Sequence, residues 1–173
     1  MTSKQKAKTK IPPSRQKNVQ VPKAGLCNGT ALRQASRRIS QLYDAILAPC
    51  GLRSTQWSIL THIARVKRQS IGDIANSLVL DRSALAHNLR PLERDGLIQI
   101  EAGDEDKRSR FATLSRKGQA KVAEAIPLWE QAQRRFEAVY KLENARSLRA
   151  SLKIIASTEF AEAFQQLGSI PGQ

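Results

Sequence analysis

Residues 70–115 read SIGDIANSLVLDRSALAHNLRPLERDGLIQIEAGDEDKRSRFATLS, and the order of the signals in this stretch decides the fold. Ser70 precedes an apolar-periodic run and Asp73 follows three positions later, the spacing of a capping box, so a short helix is expected to start there. Ile71, Ile74, Ala75 and Leu78 share one face of it. After Val79 and Leu80, Asp81 takes an N-cap position, and the helix it opens sets Leu85, Leu89 and Leu92 at i, i+4 and i+7. That stripe must face inward. The complementary flank then offers Arg82, Ser83, His87, Asn88 and Arg90, side chains suited to base edges and phosphates in a major groove. Gly96 stands where a left-handed C-cap ends the helix, and Leu97 to Ile100 alternates as a short strand. The polar loop Gly103 to Ser109 follows, and a second strand returns around Arg110 to Leu114. The fold class expected is mainly α with a small β-hairpin wing: a winged helix-turn-helix with flanking dimerisation helices. Pro91 removes one backbone donor, and either bends the second helix near His87 or only marks its final turn.

Several motifs in this order resemble the MarR family of bacterial transcription regulators. Asp106-Lys107-Arg108, then a strand ending Leu114-Ser115 with Gly118 beyond, is similar to that family's wing signature and its exit into a helix. Gly51-Leu52-Arg53-Ser54-Thr55-Gln56-Trp57 resembles the entry to its second helix, and NLRPLERDGL, residues 88–97, the end of its recognition helix. The resemblance spans about residues 29–166. It implies a homodimer whose first and last helices interlock, reading a pseudo-palindromic operator in double-stranded DNA, in the bacterial cytoplasm and on the nucleoid. It also gives Arg108, at the wing tip, a place in a narrow minor groove. Asp106 is expected to orient that arginine, the alternative being a solvated Asp106–Arg108 ion pair worth under about 1 kcal/mol. Lys107 and Arg110 are expected on the DNA backbone, while Glu101, Asp104 and Glu105 would repel phosphate and limit the wing's approach.

Charge points to the same partner independently. There are 29 Lys and Arg against 15 Asp and Glu, a formal net charge of +14, and a cationic surface binds nucleic acid by releasing condensed counterions. Residues 1–28 hold seven of the cations and no acid. With Pro12, Pro13 and Pro22 and no periodicity, this tail is expected to be disordered, adding phosphate contacts or merely solubility. It lacks the apolar core of a secretory signal, and no run in the chain reaches the roughly 20 apolar residues of a membrane span.

Outside the reading head the chain reads as helical, with a single domain expected over residues 29–166 and a short tail at 167–173. Within that domain, residues 52–115 form the winged core, and residues 29–48 and 116–166 the dimerisation helices. Thr30–Ala48 carries Leu32, Ala35, Ile39, Leu42, Ile46 and Leu47 on one face. Ser54 or Thr55 is expected to cap a second helix. A long one begins near Ser115 with Pro127 bending it, and a last one runs from about Asn144 to Gln166. The terminal helices hold more apolar surface than a small head can cover, which dimerisation explains economically. Half-sites would then lie roughly 10 bp apart.

Members of the resembled family often bind a small aromatic or hydrophobic effector between the dimer helices and the head. Ile39, Tyr43, Ile46, Trp57, Leu60 and His62 are the candidates to line that cleft, with plain core packing as the alternative for each. No metal or cofactor is expected, since His62 has no second ligand at metal spacing. In peroxide-sensing members the reactive cysteine sits in the first helix, at a position held here by Ala35. Cys27, just ahead of that helix, is the alternative redox input. Cys27 and Cys50 bracket a helix of roughly 28 Å, too far for a disulfide within one chain. Two histidines, no glycine-rich phosphate loop and no nucleophile elbow argue against an enzyme. The expected role is a repressor released by a small molecule, with activation, dual control or redox response as alternatives. A winged helix serving RNA or protein contact would present apolar anchors rather than this polar flank.

Overall fold

The computed structural model describes Lys23, residues 25–103 and residues 106–167. Most of the sequence-predicted basic tail, Asp104 and Glu105 in the wing, and residues 168–173 therefore lie outside the described residues. The elements are α1 (Asn28–Leu47), a short 3-10 turn (Ala48–Cys50), α2 (Ser54–Val66), β1 (Arg68–Ser70), α3 (Ile71–Ser77), α4 (Arg82–Arg94), β2 (Ile98–Ala102), β3 (Arg110–Leu114), α5 (Arg116–Tyr140), α6 (Leu142–Ile155) and α7 (Thr158–Leu167). The chain divides into two compact units after Ala35, inside α1, and the reading head belongs to the second.

The head's core grows from the stripes legible in the sequence. Leu85, Leu89 and Leu92 of α4 are buried against Ile74 and Ala75 of α3, Trp57, Ile59, Leu60 and Ile63 of α2, and Ile98 and Ala112 of the sheet. Removing water from such side chains is the main stabilising term, and truncating one buried leucine to alanine costs roughly 2–5 kcal/mol. Ile71 and Leu78 of α3 pack at the margin of the same cluster.

The structure departs from the sequence reading in four places. The wing is a three-stranded antiparallel sheet in the order β1-β3-β2 rather than a lone hairpin. β1 pairs Arg68 with Thr113 and Ser70 with Phe111, and its three residues are too few to show an alternating pattern. The strand expected at Leu97–Ile100 is displaced to Ile98–Ala102 because the Leu97 amide is taken by Leu92 O, finishing the helix exit. The N-cap of α2 is Arg53, whose amide donates to Gln56 Oε1 at 2.9 Å, while the Ser54 amide donates to Asp44 Oδ1 at 2.6 Å. Ser54 thus finds its acceptor on α1, a tertiary partner no local pattern shows. Finally, the single helix expected from Asn144 to Gln166 is two helices, broken at Ala156–Ser157, where Ser157 Oγ accepts the Phe160 amide at 3.2 Å and caps α7.

Pro91 sits inside α4 and the helix continues through it to Arg94, with Pro91 heading the last turn and its carbonyl accepting from the Asp95 amide at 2.9 Å. Pro127 is likewise contained within the 25-residue α5. Among the described residues, no helix is long and apolar enough to cross a membrane.

Candidate nucleic-acid interface

The segment between β1 and α5 is fixed by three side-chain caps. Ser70 Oγ accepts the Asp73 amide at 3.1 Å and donates to Asp73 Oδ2 at 2.7 Å, so the pair closes through the hydroxyl itself. A tight turn follows, with Val79 at φ +52° and Leu80 N donating to Ala75 O at 2.9 Å. Asp81 then caps α4, its Oδ1 accepting the Ala84 amide and the Ser83 hydroxyl, each at 2.6 Å. The Ser83 hydroxyl first and the Ala84 amide second hold the Asp81 carboxyl below its ordinary value.

At the far end, Gly96 adopts φ +69°, the left-handed conformation that ends a helix most easily with glycine. Ser115 then locks the exit. Its hydroxyl donates to Gly96 O at 2.6 Å, while its oxygen accepts the Gly118 amide at 3.0 Å and so caps α5. Gly118 is required by contact rather than by conformation: a Cβ there would stand 1.9 Å from Leu97 O. The Leu-Ser-x-x-Gly spacing read at 114–118 is therefore a clamp between α5 and the start of the wing.

On α4, Arg82, Ser83, His87 and Arg90 are exposed; Ser83, His87 and Arg90 lie on the face opposite the leucine stripe, and Arg82 at the stripe's margin. Asn88 is half-buried, and its amide Nδ2 donates to Ala84 O at 2.9 Å on the same helix. The Arg82 guanidinium lies beside Gly72 at the start of α3. Ala86 is also exposed on this face, a position the sequence reading passed over because it scored only polar side chains.

In the wing, Asp106, Lys107, Arg108 and Arg110 are all exposed. Asp106 Oδ1 accepts the Arg108 backbone amide at 2.9 Å and its Oδ2 accepts the Ser109 hydroxyl at 3.0 Å. The carboxylate therefore shapes the loop backbone rather than pairing with the guanidinium, and Arg108 is presented outward. Gly103 N donates to Ser109 O at 2.7 Å, and a Cβ on Gly103 would stand 3.0 Å from the Phe111 ring. Arg68 of β1 stacks over that ring with its guanidinium carbon 4.3 Å from the centroid. Arg68 thus ties β1 to the wing, a contact no local pattern shows, since its partner is 43 positions away in the chain. Exposed cations thus occur on both α4 and the wing, and Glu101 stays exposed on β2.

The six effector-cleft candidates fall in different settings. Leu60 is fully buried and Trp57 nearly so, both in the core, with Trp57 tilted against Trp129 at 5.9 Å between centroids. Ile39, Tyr43, Ile46 and His62 are half-buried. Tyr43 donates its hydroxyl to Gln133 Oε1 at 3.1 Å, and burial raises its pKa. His62 Nε2 lies 2.7 Å from Gln69 Oε1 and joins α2 to β1. A cleft of about 400 Å³ between α2, β3 and α5 is lined by Ile63, Ala64, Lys67, Thr113, Leu114 and Gln119, none of them among the six candidates. Cys27 is exposed and free, and hydrogen bonding to the Thr30 hydroxyl lowers its pKa; Cys50 is free and buried, its thiol donating to Leu47 O.

Comparison with known proteins sets this geometry among relatives. Residues 52–109 match the sequence model of the MarR family. The transcriptional regulator MosR of M. tuberculosis, solved in complex with DNA, is 31% identical and superposes with a TM-score of 0.69 over 79% of this chain and 97% of that one. The homoprotocatechuate degradative operon repressor of Escherichia coli is 29% identical over 147 residues, 82% of this chain and 93% of that protein. The transcriptional activatory protein BadR of Rhodopseudomonas palustris is 32% identical over 71 residues, 39% of this chain but only 41% of that protein's length.

Proposed function

The chain belongs to the MarR family of transcriptional regulators, and from that premise we propose that it is a homodimeric, sequence-specific DNA-binding repressor that a small molecule releases from its operator. The observation that carries this reading is the joint presentation of Arg82, His87 and Arg90 on α4 and of Arg108 on a wing whose backbone Asp106 holds in shape. A polar helix flank suits a major groove and a guanidinium on a hairpin tip suits a narrow minor groove. Lys107 and Arg110 would meet phosphates. Homology to MosR, crystallised on DNA, supports the partner, and the near full-length match to the E. coli repressor supports the sign of regulation.

Two copies are needed because α6 and α7 leave Ile154, Phe160, Phe164 and Leu167 exposed in the single chain. A two-fold axis would place two α4 helices one turn of duplex apart, roughly 10 bp. For the effector, the half-buried Ile39, Tyr43, Ile46 and His62 favour a small aromatic or hydrophobic compound. The reading contains no enzymatic step, and places the protein in the compartment that holds the chromosome. Activation is the second reading, favoured by the BadR match over 71 residues.

Selection from random duplexes followed by anisotropy titration tests the proposal. We expect one pseudo-palindrome to be enriched, with affinity falling roughly a thousandfold or more between 50 and 200 mM salt. Arg108→Ala should weaken that duplex by about 1–3 kcal/mol. A flat salt response, or no enrichment, would refute the proposal, and the position of the enriched site relative to promoters separates repression from activation.

A further inference from the structure

We infer that Ala86 is a specificity-determining residue that reads the 5-methyl group of a thymine in each half-site. The inference rests on the reading above, that α4 enters the major groove. Four-residue steps along the exposed face of α4 give the row Arg82, Ala86, Arg90, so one methyl group stands between two arginines. His87 and Ser83 flank it. Two of the polar groups expected to read bases are engaged on the helix itself: the Ser83 hydroxyl donates to Asp81 at 2.6 Å, and the Asn88 amide to Ala84 O at 2.9 Å. What remains exposed along the row is two cations with a short apolar side chain between them.

That combination has a specific complement. The thymine methyl is the apolar feature that a base pair displays in the major groove, and alanine is among the side chains that contact it. A short residue also lets the helix backbone come close to the groove floor, while Arg82 and Arg90 reach past it toward guanine edges or phosphates. A long polar side chain at position 86 would hold the helix away.

The test uses the full chain and the duplex enriched by selection, with each thymine in turn replaced by uracil, which lacks only that methyl. For the unaltered protein, one position per half-site should weaken binding about fourfold, the loss of one buried methyl group. In Ala86→Gly that position should become insensitive to the replacement. Ala86→Gln keeps a good helix former and should retain the thermal midpoint, yet lose at least about tenfold in affinity together with the uracil effect. If no thymine shows the effect in the unaltered protein, or if both variants retain it at the same position, the inference falls. Failure to enrich any duplex would instead overturn the DNA-binding reading, and this inference with it.

Discussion

Asp106 directs both carboxylate oxygens to its own loop, one to the Arg108 amide and one to the Ser109 hydroxyl. The acid is therefore a positioning residue for the arginine beside it, acting through the backbone. Asp106→Ala should release the loop and weaken operator binding by roughly fivefold, the cost of ordering it anew on DNA, with the thermal midpoint little changed. Asp106→Asn retains an acceptor for the amide and should recover most of the affinity; equal losses in the two variants would show that charge, not loop shape, matters. Asn88 illustrates a different limit of residue-level reading. At about 100° per residue it stands about 60° from Leu85, at the edge of the buried stripe, which is why its amide turns back to its own helix. Arg82, three residues before Leu85, likewise stands about 60° from it and rests its guanidinium beside Gly72, whereas His87 and Arg90 lie well outside the stripe and Lys107, Arg108 and Arg110 are on the wing.

At the scale of elements, β1 is the part the sequence concealed. Each of its three residues fastens a different neighbour: Arg68 stacks on Phe111 of β3, Gln69 meets His62 of α2, and Ser70 caps α3. These partners are spread from position 62 to 111 and leave no local period, whereas α3 and α4 were legible from their stripes and from the caps Ser70, Asp81 and Ser115. The break between α6 and α7 stayed hidden for the opposite reason, since the apolar residues continue across it and only the Ser157 cap betrays it. Phe111 carries the wing's attachment, its ring lying between Arg68 and Gly103. Phe111→Ala should therefore speed amide hydrogen exchange at Arg108 and Ser109 and lower operator affinity, while exchange in α4 stays slow. Unchanged exchange at the loop would mean the sheet pairing alone holds the wing.

At the scale of the whole molecule, the apolar surface is unevenly shared. The core cluster runs from Leu47 to Ala125, whereas α7 buries none of its residues and Val139, Ile154, Phe164 and Leu167 are all more than 60% exposed. Phe160 and Phe164 stack on one another with centroids 6.3 Å apart, forming a ready contact face. Phe164→Asp should yield a folded single chain by sedimentation and a weaker grip on the paired half-sites, with the unfolding of the head unaltered. A dimer of undiminished stability would place the interface elsewhere. The same layout has a temporal side. Synthesis runs from the amino end, so every member of the central cluster has left the ribosome before the last two helices emerge. During synthesis the central cluster can therefore begin to pack before the exposed apolar face of those helices is available, which favours folding of the head ahead of chain pairing.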